Sequence, residues 1–193
     1  PLERYGVSIV NVGSTAFLRY SRIFIRKDGK SMGIPVAVIT DCDEEAGYNK
    51  QGEFEAHKDE MEAAGVEKER RYTEDTVKAF VSSQWTFEYC VAQSCLRDDF
   101  HKAVHYGKKI KNSDKYALTD EKIAAADEDM SNESKSWKEL SCEERAYKIY
   151  NLMLNENGKS GLKAIVAQCL ASILKWKLAG VPKGMTQAQM FDL

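Results

Sequence analysis

The feature that most constrains this chain is a short apolar run that ends in acid. Ile34-Pro35-Val36-Ala37-Val38-Ile39-Thr40 is almost continuously apolar, and Asp41-Cys42-Asp43-Glu44-Glu45 follows without a spacer. Such a run fits a strand buried on both faces, as in a parallel sheet covered by helices. Sheets of that kind gather their ligands at the carboxyl ends of the strands, which is where Asp41 and Asp43 fall. If strand geometry persists through Cys42, alternation sends both carboxylates to one side, where they can share a divalent cation. Hard carboxylate oxygens without His or Cys suit Mg2+ or Mn2+ rather than zinc. Taken alone, the pair serves equally well as an acidic loop after a strand.

The surrounding pattern is that of an α/β domain. Gly6 to Gly13 is β-branched and flanked by glycines, which predicts a strand. Ser14 or Thr15 can then cap a helix carrying Phe17, Leu18, Tyr20, Ile23 and Phe24. Glu53 to Gly65 reads as an exposed helix ended by its glycine, and Thr76 to Ser82 as a third strand. Strands alternating with helices in this rhythm imply right-handed crossovers and a parallel sheet flanked by helices. The second half is helical. A segment from Thr86 to Leu96 precedes a charged stretch, about 97–132, expected to be an insertion of short helices and loops. Cys142 to Leu154 forms a helix capped by Ser141, and a long helix runs from Leu162 to about Leu178 before Gly180 and Pro182. The expected division is a core over 1–96, incomplete at its amino end, a helical insertion over 97–157, and a completing segment over 158–193.

Composition limits the function classes. With 28 Lys and Arg against 30 Asp and Glu, the net charge is -2, so no bulk basic charge holds the chain to nucleic acid. Five scattered cysteines without CxxC pairs predict reduced, buried or half-buried thiols. No apolar run has the length of a membrane span and nothing reads as a signal peptide, so a cytoplasmic protein is expected. The chain has no initiator Met and reads as a fragment of a longer one. His57, His101 and His105 are expected at the surface. His101 and His105, at i and i+4, could bind a metal, but no third ligand is evident. Trp85, Trp137 and Trp176 are expected to pack rather than stack on bases, and Lys108, Lys109 and Lys111 form a small basic cluster. Gly158-Lys159-Ser160 echoes the end of a P-loop but lacks the earlier glycine and the preceding strand.

Four segments carry a family resemblance. Residues 34–43, IPVAVITDCD, resemble the acidic strand of TOPRIM domains, the fold shared by topoisomerases, primases and OLD-type (overcoming lysogenization defect) nucleases. The upstream VSIVNVGSTAFLRYSRIF resembles the OLD-family strand that turns at a glycine into a helix. WTFEY around Glu88 resembles the family's Thr-Leu-Glu-Tyr segment, and LKAIVAQCLA from Leu162 to Ala171 resembles its lysine-bearing helix. The resemblance implies a metal-dependent DNA endonuclease that cuts phosphodiester bonds with two Mg2+ or Mn2+ ions. Asp41, Asp43 and Glu88 match its metal ligands, with the Thr86 hydroxyl nearby, and Lys163 matches the lysine that contacts the scissile phosphate. Ala164 and Val166 replace the usual Gly and Phe of that helix, which leaves Lys159 as a rival. The family's essential glutamate, on a strand before Val7, has no counterpart here. Implied partners are DNA, an amino-terminal ATPase domain of the same full-length protein and further copies in a homo-oligomer. The competing reading is a receiver-like, Mg2+-binding interaction domain without nuclease activity, which would need a lysine after a strand.

Overall fold

A computed structural model describes residues 2–12, 17–25, 32–74, 76–112, 118–154, 161–180, 184, 186 and 188–191. In chain order the elements are α1 (Phe17–Ser21), β1 (Val36–Thr40), β2 (Gly47–Tyr48), β3 (Phe54–Glu55), α2 (Lys58–Tyr72), β4 (Val77–Val81), α3 (Phe87–Gln93), α4 (Arg97–Lys111), α5 (Asp120–Ser136), α6 (Cys142–Asn151) and α7 (Lys163–Ala179). Short 3-10 turns lie at Leu2–Tyr5 and Ala188–Phe191. The class is mixed α/β with a small parallel sheet, compatible with a TOPRIM-like fold. The chain divides into two compact units, one of Pro1–Glu44 with His57–Thr86, the other of Glu45–Ala56 with Phe87–Leu193.

In the first unit the apolar run becomes β1 and pairs in parallel with β4, from Val36 opposite Val77 to Thr40 opposite Val81. Val38, Val77 and Ala79 point inward onto Phe17, with Val12, Phe24, Val36 and Tyr72 packed around them. The rings of Phe17 and Tyr72 meet edge to face at 4.9 Å. The expectation of a strand buried on both faces is not met. Ile39 is 82% exposed and its register partner Phe80 is 53% exposed, because the packing found here is on one side only. The strand expected over Gly6 to Gly13 is also absent among the described residues. Val7 to Val12 has no hydrogen-bonded neighbour strand, and Ile9 and Val10 are exposed; β-propensity alone does not make a strand. The caps expected at Ser14 or Thr15 lie outside the described residues.

Helix α2 starts later than expected and runs seven residues past Gly65. The glycine lies within the helix, whose packing against β4 and fully buried Met61 outweigh about 1 kcal/mol of lost propensity. The helix stops at Thr73, whose Oγ1 accepts a hydrogen bond from the Ala79 amide at 3.1 Å and so ties the turn to β4.

The second unit is built around α4. The stretch expected to be short helices and loops is instead two long helices, α4 and α5. Phe100, Ala103, Val104, Tyr106, Gly107 and Ile110 of α4 are all buried, and so are His101 and His105, which were expected at the surface. A helix buried on most of its circumference marks the centre of a helical core. Its charged positions are satisfied locally, through Lys102 with Asp127 and Lys109 with Asp129, and this accounts for the weak periodicity of the sequence. Helix α7 crosses α4 where Gly107 removes a side chain: a Cβ there would lie 3.0 Å from Val166 Cγ2. Helix α6 begins as expected, with Ser141 Oγ accepting from the Glu144 amide. The β2–β3 hairpin closes on Asn49, whose side chain accepts from the Gln51 and Glu53 amides, and its Tyr48 and Phe54 rings pack on Tyr147 of α6. All five cysteines are free. Cys42 and Cys169 are buried, whereas Cys95 and Cys142 are exposed, contrary to the expectation for all five.

Two glycine substitutions should move stability in opposite directions. Gly65→Ala adds a methyl group whose nearest neighbour is Val81 Cγ1 at 4.0 Å, and should stabilise by about 0.4–1 kcal/mol. Gly107→Ala drives the same group into α7 and should cost about 1–3 kcal/mol. Urea unfolding of both variants against the parent chain reads the two signs directly.

Candidate functional site

The acidic loop leaves β1 with its backbone held at each step. Ser82 N donates to Thr40 O at 3.0 Å, Cys42 N to Ser82 Oγ at 2.8 Å, and Asp43 N to Trp85 O at 3.0 Å. These bonds extend the β1–β4 pairing past the end of the ladder and fix where Asp41 and Asp43 sit. Strand alternation does not reach Asp43. Its φ is 71°, in the left-handed region that Asp tolerates better than most residues, so loop closure rather than the pleat orients the carboxylate. Cys42 is buried and its Sγ donates to Met61 O of α2 at 3.1 Å.

Lys68 completes this corner. Its Nζ donates to Asp41 O at 2.7 Å and to Cys42 O at 3.3 Å, and pairs with the Asp43 carboxylate. Three oxygens therefore converge on one cationic centre. An oxygen-only cradle around a positive charge is the donor set that a hard dication takes, so the loop fits Mg2+ or Mn2+ by its chemistry. For Asp43 to serve a metal, its carboxylate must be shared with, or released by, the ammonium. The sequence offered no signal for Lys68, which lies in a charged run beyond the glycine at which the helix was expected to end. Thr86, buried, immediately precedes α3.

In the second unit the chain brings Glu88 and Lys163 together across 75 residues. Glu88 lies in the first turn of α3 and Lys163 is the first residue of α7. Lys163 Nζ donates to Glu88 Oε2 at 3.1 Å and lies 5.5 Å from the centre of the Tyr150 ring. The carboxylate offsets the unfavourable placement of a lysine at the positive end of a helix dipole. The pair is partly open, with side-chain exposures of 38% for Lys163 and 21% for Glu88, so both groups remain within reach of a ligand. Lys159 lies outside the described residues.

Residues 1–43 match the family model described as Overcoming lysogenization defect protein-like, TOPRIM domain. This is consistent with a TOPRIM domain of an OLD-family protein. The match ends on Asp43 and so includes the acidic pair. No curated protein and no solved structure matches the chain. A TOPRIM domain implies metal-binding function of the nuclease or primase type in general. No described helix is long and apolar enough to cross a membrane.

Lys68→Met keeps the length of the side chain and removes its charge. Three oxygens lose their shared donor, and the chain should lose about 1–3 kcal/mol of stability. Chemical denaturation that gave an unchanged midpoint would show the cradle to be held by the backbone bonds alone.

Proposed function

We propose that this chain is the catalytic part of a metal-dependent DNA endonuclease of the TOPRIM type, working with an ATPase domain of the same protein in a cytoplasmic homo-oligomer. The observation that carries the reading is the acidic pair Asp41 and Asp43, set at the carboxyl end of a parallel strand inside the residues that match the TOPRIM family. In this reading Asp41, Asp43 and Glu88 offer carboxylate oxygens to Mg2+ or Mn2+, with the Thr86 hydroxyl beside Glu88 in sequence. Bound divalent ions of this kind activate water and stabilise the attacking and leaving oxygens of a phosphodiester in line. Lys163 supplies a fixed ammonium for a phosphate oxygen, and Glu88 holds that ammonium in place before substrate arrives. The basal pairing of Asp43 with Lys68 keeps the acidic loop compact before a cation exchanges with the ammonium. A receiver-like domain gains no support, since the lysine that meets Asp43 stands on α2, and β4 ends at Val81 and is followed by Ser82 rather than a lysine.

The test is a plasmid-nicking assay on the full-length protein with Mn2+ or Mg2+. Asp41→Ala and Asp43→Ala should each abolish nicking, and wild-type rates in both would overturn the assignment. Lys163→Ala breaks a partly exposed pair, so stability should change by no more than about 1 kcal/mol. Its nicking rate should nevertheless fall at least about tenfold, roughly 1.4 kcal/mol in the barrier. Lys159→Ala should do much less. The reverse order, on matched folded proteins, would transfer the role to Lys159.

A further inference from the structure

Two buried imidazoles on α4 and one carboxylate on α5 meet at three atoms. His101 and His105 are 4% and 3% exposed and lie one helical turn apart, so their rings share a face. The His101 Nε2 to His105 Nε2 distance is 3.2 Å. Glu133 Oε2 lies 2.9 Å from the first and 2.8 Å from the second. Protons alone serve this triangle poorly. If both Nε2 atoms carry hydrogen, each donates to the carboxylate, but two N–H groups then crowd along the third edge. If only one carries hydrogen, a nitrogen lone pair faces a carboxylate lone pair at hydrogen-bond distance. A cation seated against all three atoms uses every lone pair at once.

From this geometry we infer that His101, His105 and Glu133 form a zinc site, separate from the acidic loop, which clamps α5 onto α4. A tetrahedral ion with bonds of about 2.0–2.1 Å spaces its ligands about 3.3 Å apart, within a few tenths of an ångström of the edges found here. Two imidazole nitrogens select a borderline transition metal over Mg2+ or Ca2+. Among the described residues no further His, Cys, Asp or Glu adds an atom to the group, so water takes the fourth position. A cavity of about 290 Å3 lined by Arg97, Asp98, His101, Ser134 and Trp137 opens beside the His101 ring. The Trp137 ring stacks on His101, 5.2 Å between centres and 18° from parallel, and fixes the plane of the imidazole. The clamp has a clear structural purpose. Helix α5 buries only Ile123 and Ala126, both in its first half, so apolar packing does little to hold the half that carries Glu133.

The experiment is zinc binding by the full chain, stripped with chelator and titrated with Zn2+ alone in excess Mg2+. About one equivalent should bind per chain, undisplaced by Mg2+, and raise the thermal midpoint. Co2+ in its place should give the visible bands of a tetrahedral site. His105→Ala and Glu133→Gln should each weaken zinc binding at least about 100-fold, the upper end of what removing a mere outer-shell partner costs. Glu133→Gln keeps the shape of a partly exposed side chain, so it remains informative if His105→Ala fails to fold by circular dichroism. The Asp41→Ala, Asp43→Ala double variant should bind zinc like the parent, whatever it does to nicking. Absence of zinc binding in the parent chain overturns the site. So does parental affinity in Glu133→Gln, or loss of zinc with the two aspartates.

Discussion

The parallel ladder between β1 and β4 does not stop where the strands do. Past the last register pair, Thr40 with Val81, the amides of Ser82, Cys42 and Asp43 in turn find Thr40 O, Ser82 Oγ and Trp85 O. Polar backbone at a sheet end must be satisfied, and here it is satisfied by the other strand's exit loop. That requirement, more than strand geometry, sets the position of the acidic residues. It also explains why a left-handed Asp43 is tolerated, because its amide and its carboxylate are both held, by Trp85 and by Lys68.

The second unit depends on a different constraint, the close approach of helices along α4. Gly107 lets α7 come within reach of the α4 backbone, and Phe100, His101, Ala103 to Tyr106 and Ile110 of the same helix are buried. Two of those positions carry imidazoles instead of apolar groups. Burial disfavours the charged form of His101 and lowers its pKa from the ordinary value, partly opposed by the bond to Glu133. Imidazole nitrogens buried in a helix core are costly unless something uses them, so the polar cluster depends on the partners that packing brings to it. The two polar clusters differ in donor chemistry. The acidic loop offers oxygens from two carbonyls and a carboxylate, whereas the α4–α5 cluster offers two nitrogens and one oxygen.

Several elements were legible without coordinates because their signals are local. The runs 34–40 and 76–82, the Ser141 cap and the apolar stripe of the last long helix each became the expected element within one or two residues. Where local signals failed, a long-range term had outweighed them. Gly65 did not end α2, because packing against β4 continued beyond it. The glycine-flanked Val7 to Val12 did not form a strand, because β-propensity alone does not bring a segment into a sheet, and neither sheet includes it. The charged stretch after Arg97 hid two long helices, because its acids and lysines pair with one another between α4 and α5.

By itself, then, the sequence determined that an apolar strand would deliver Asp41 and Asp43 to a sheet edge, and that His101 and His105 stand at a spacing which a helix, once formed, brings onto one face. These follow from the periods of strand and helix, which any contiguous stretch carries. Only the tertiary structure decided which charges meet: Lys68 with Asp43, Lys163 with Glu88 across 75 residues, and Glu133 with an imidazole 28 residues before it. Such encounters depend on the angle and distance at which elements pack. That geometry is set by many weak contacts along whole interfaces, and no short spacing in the chain records it.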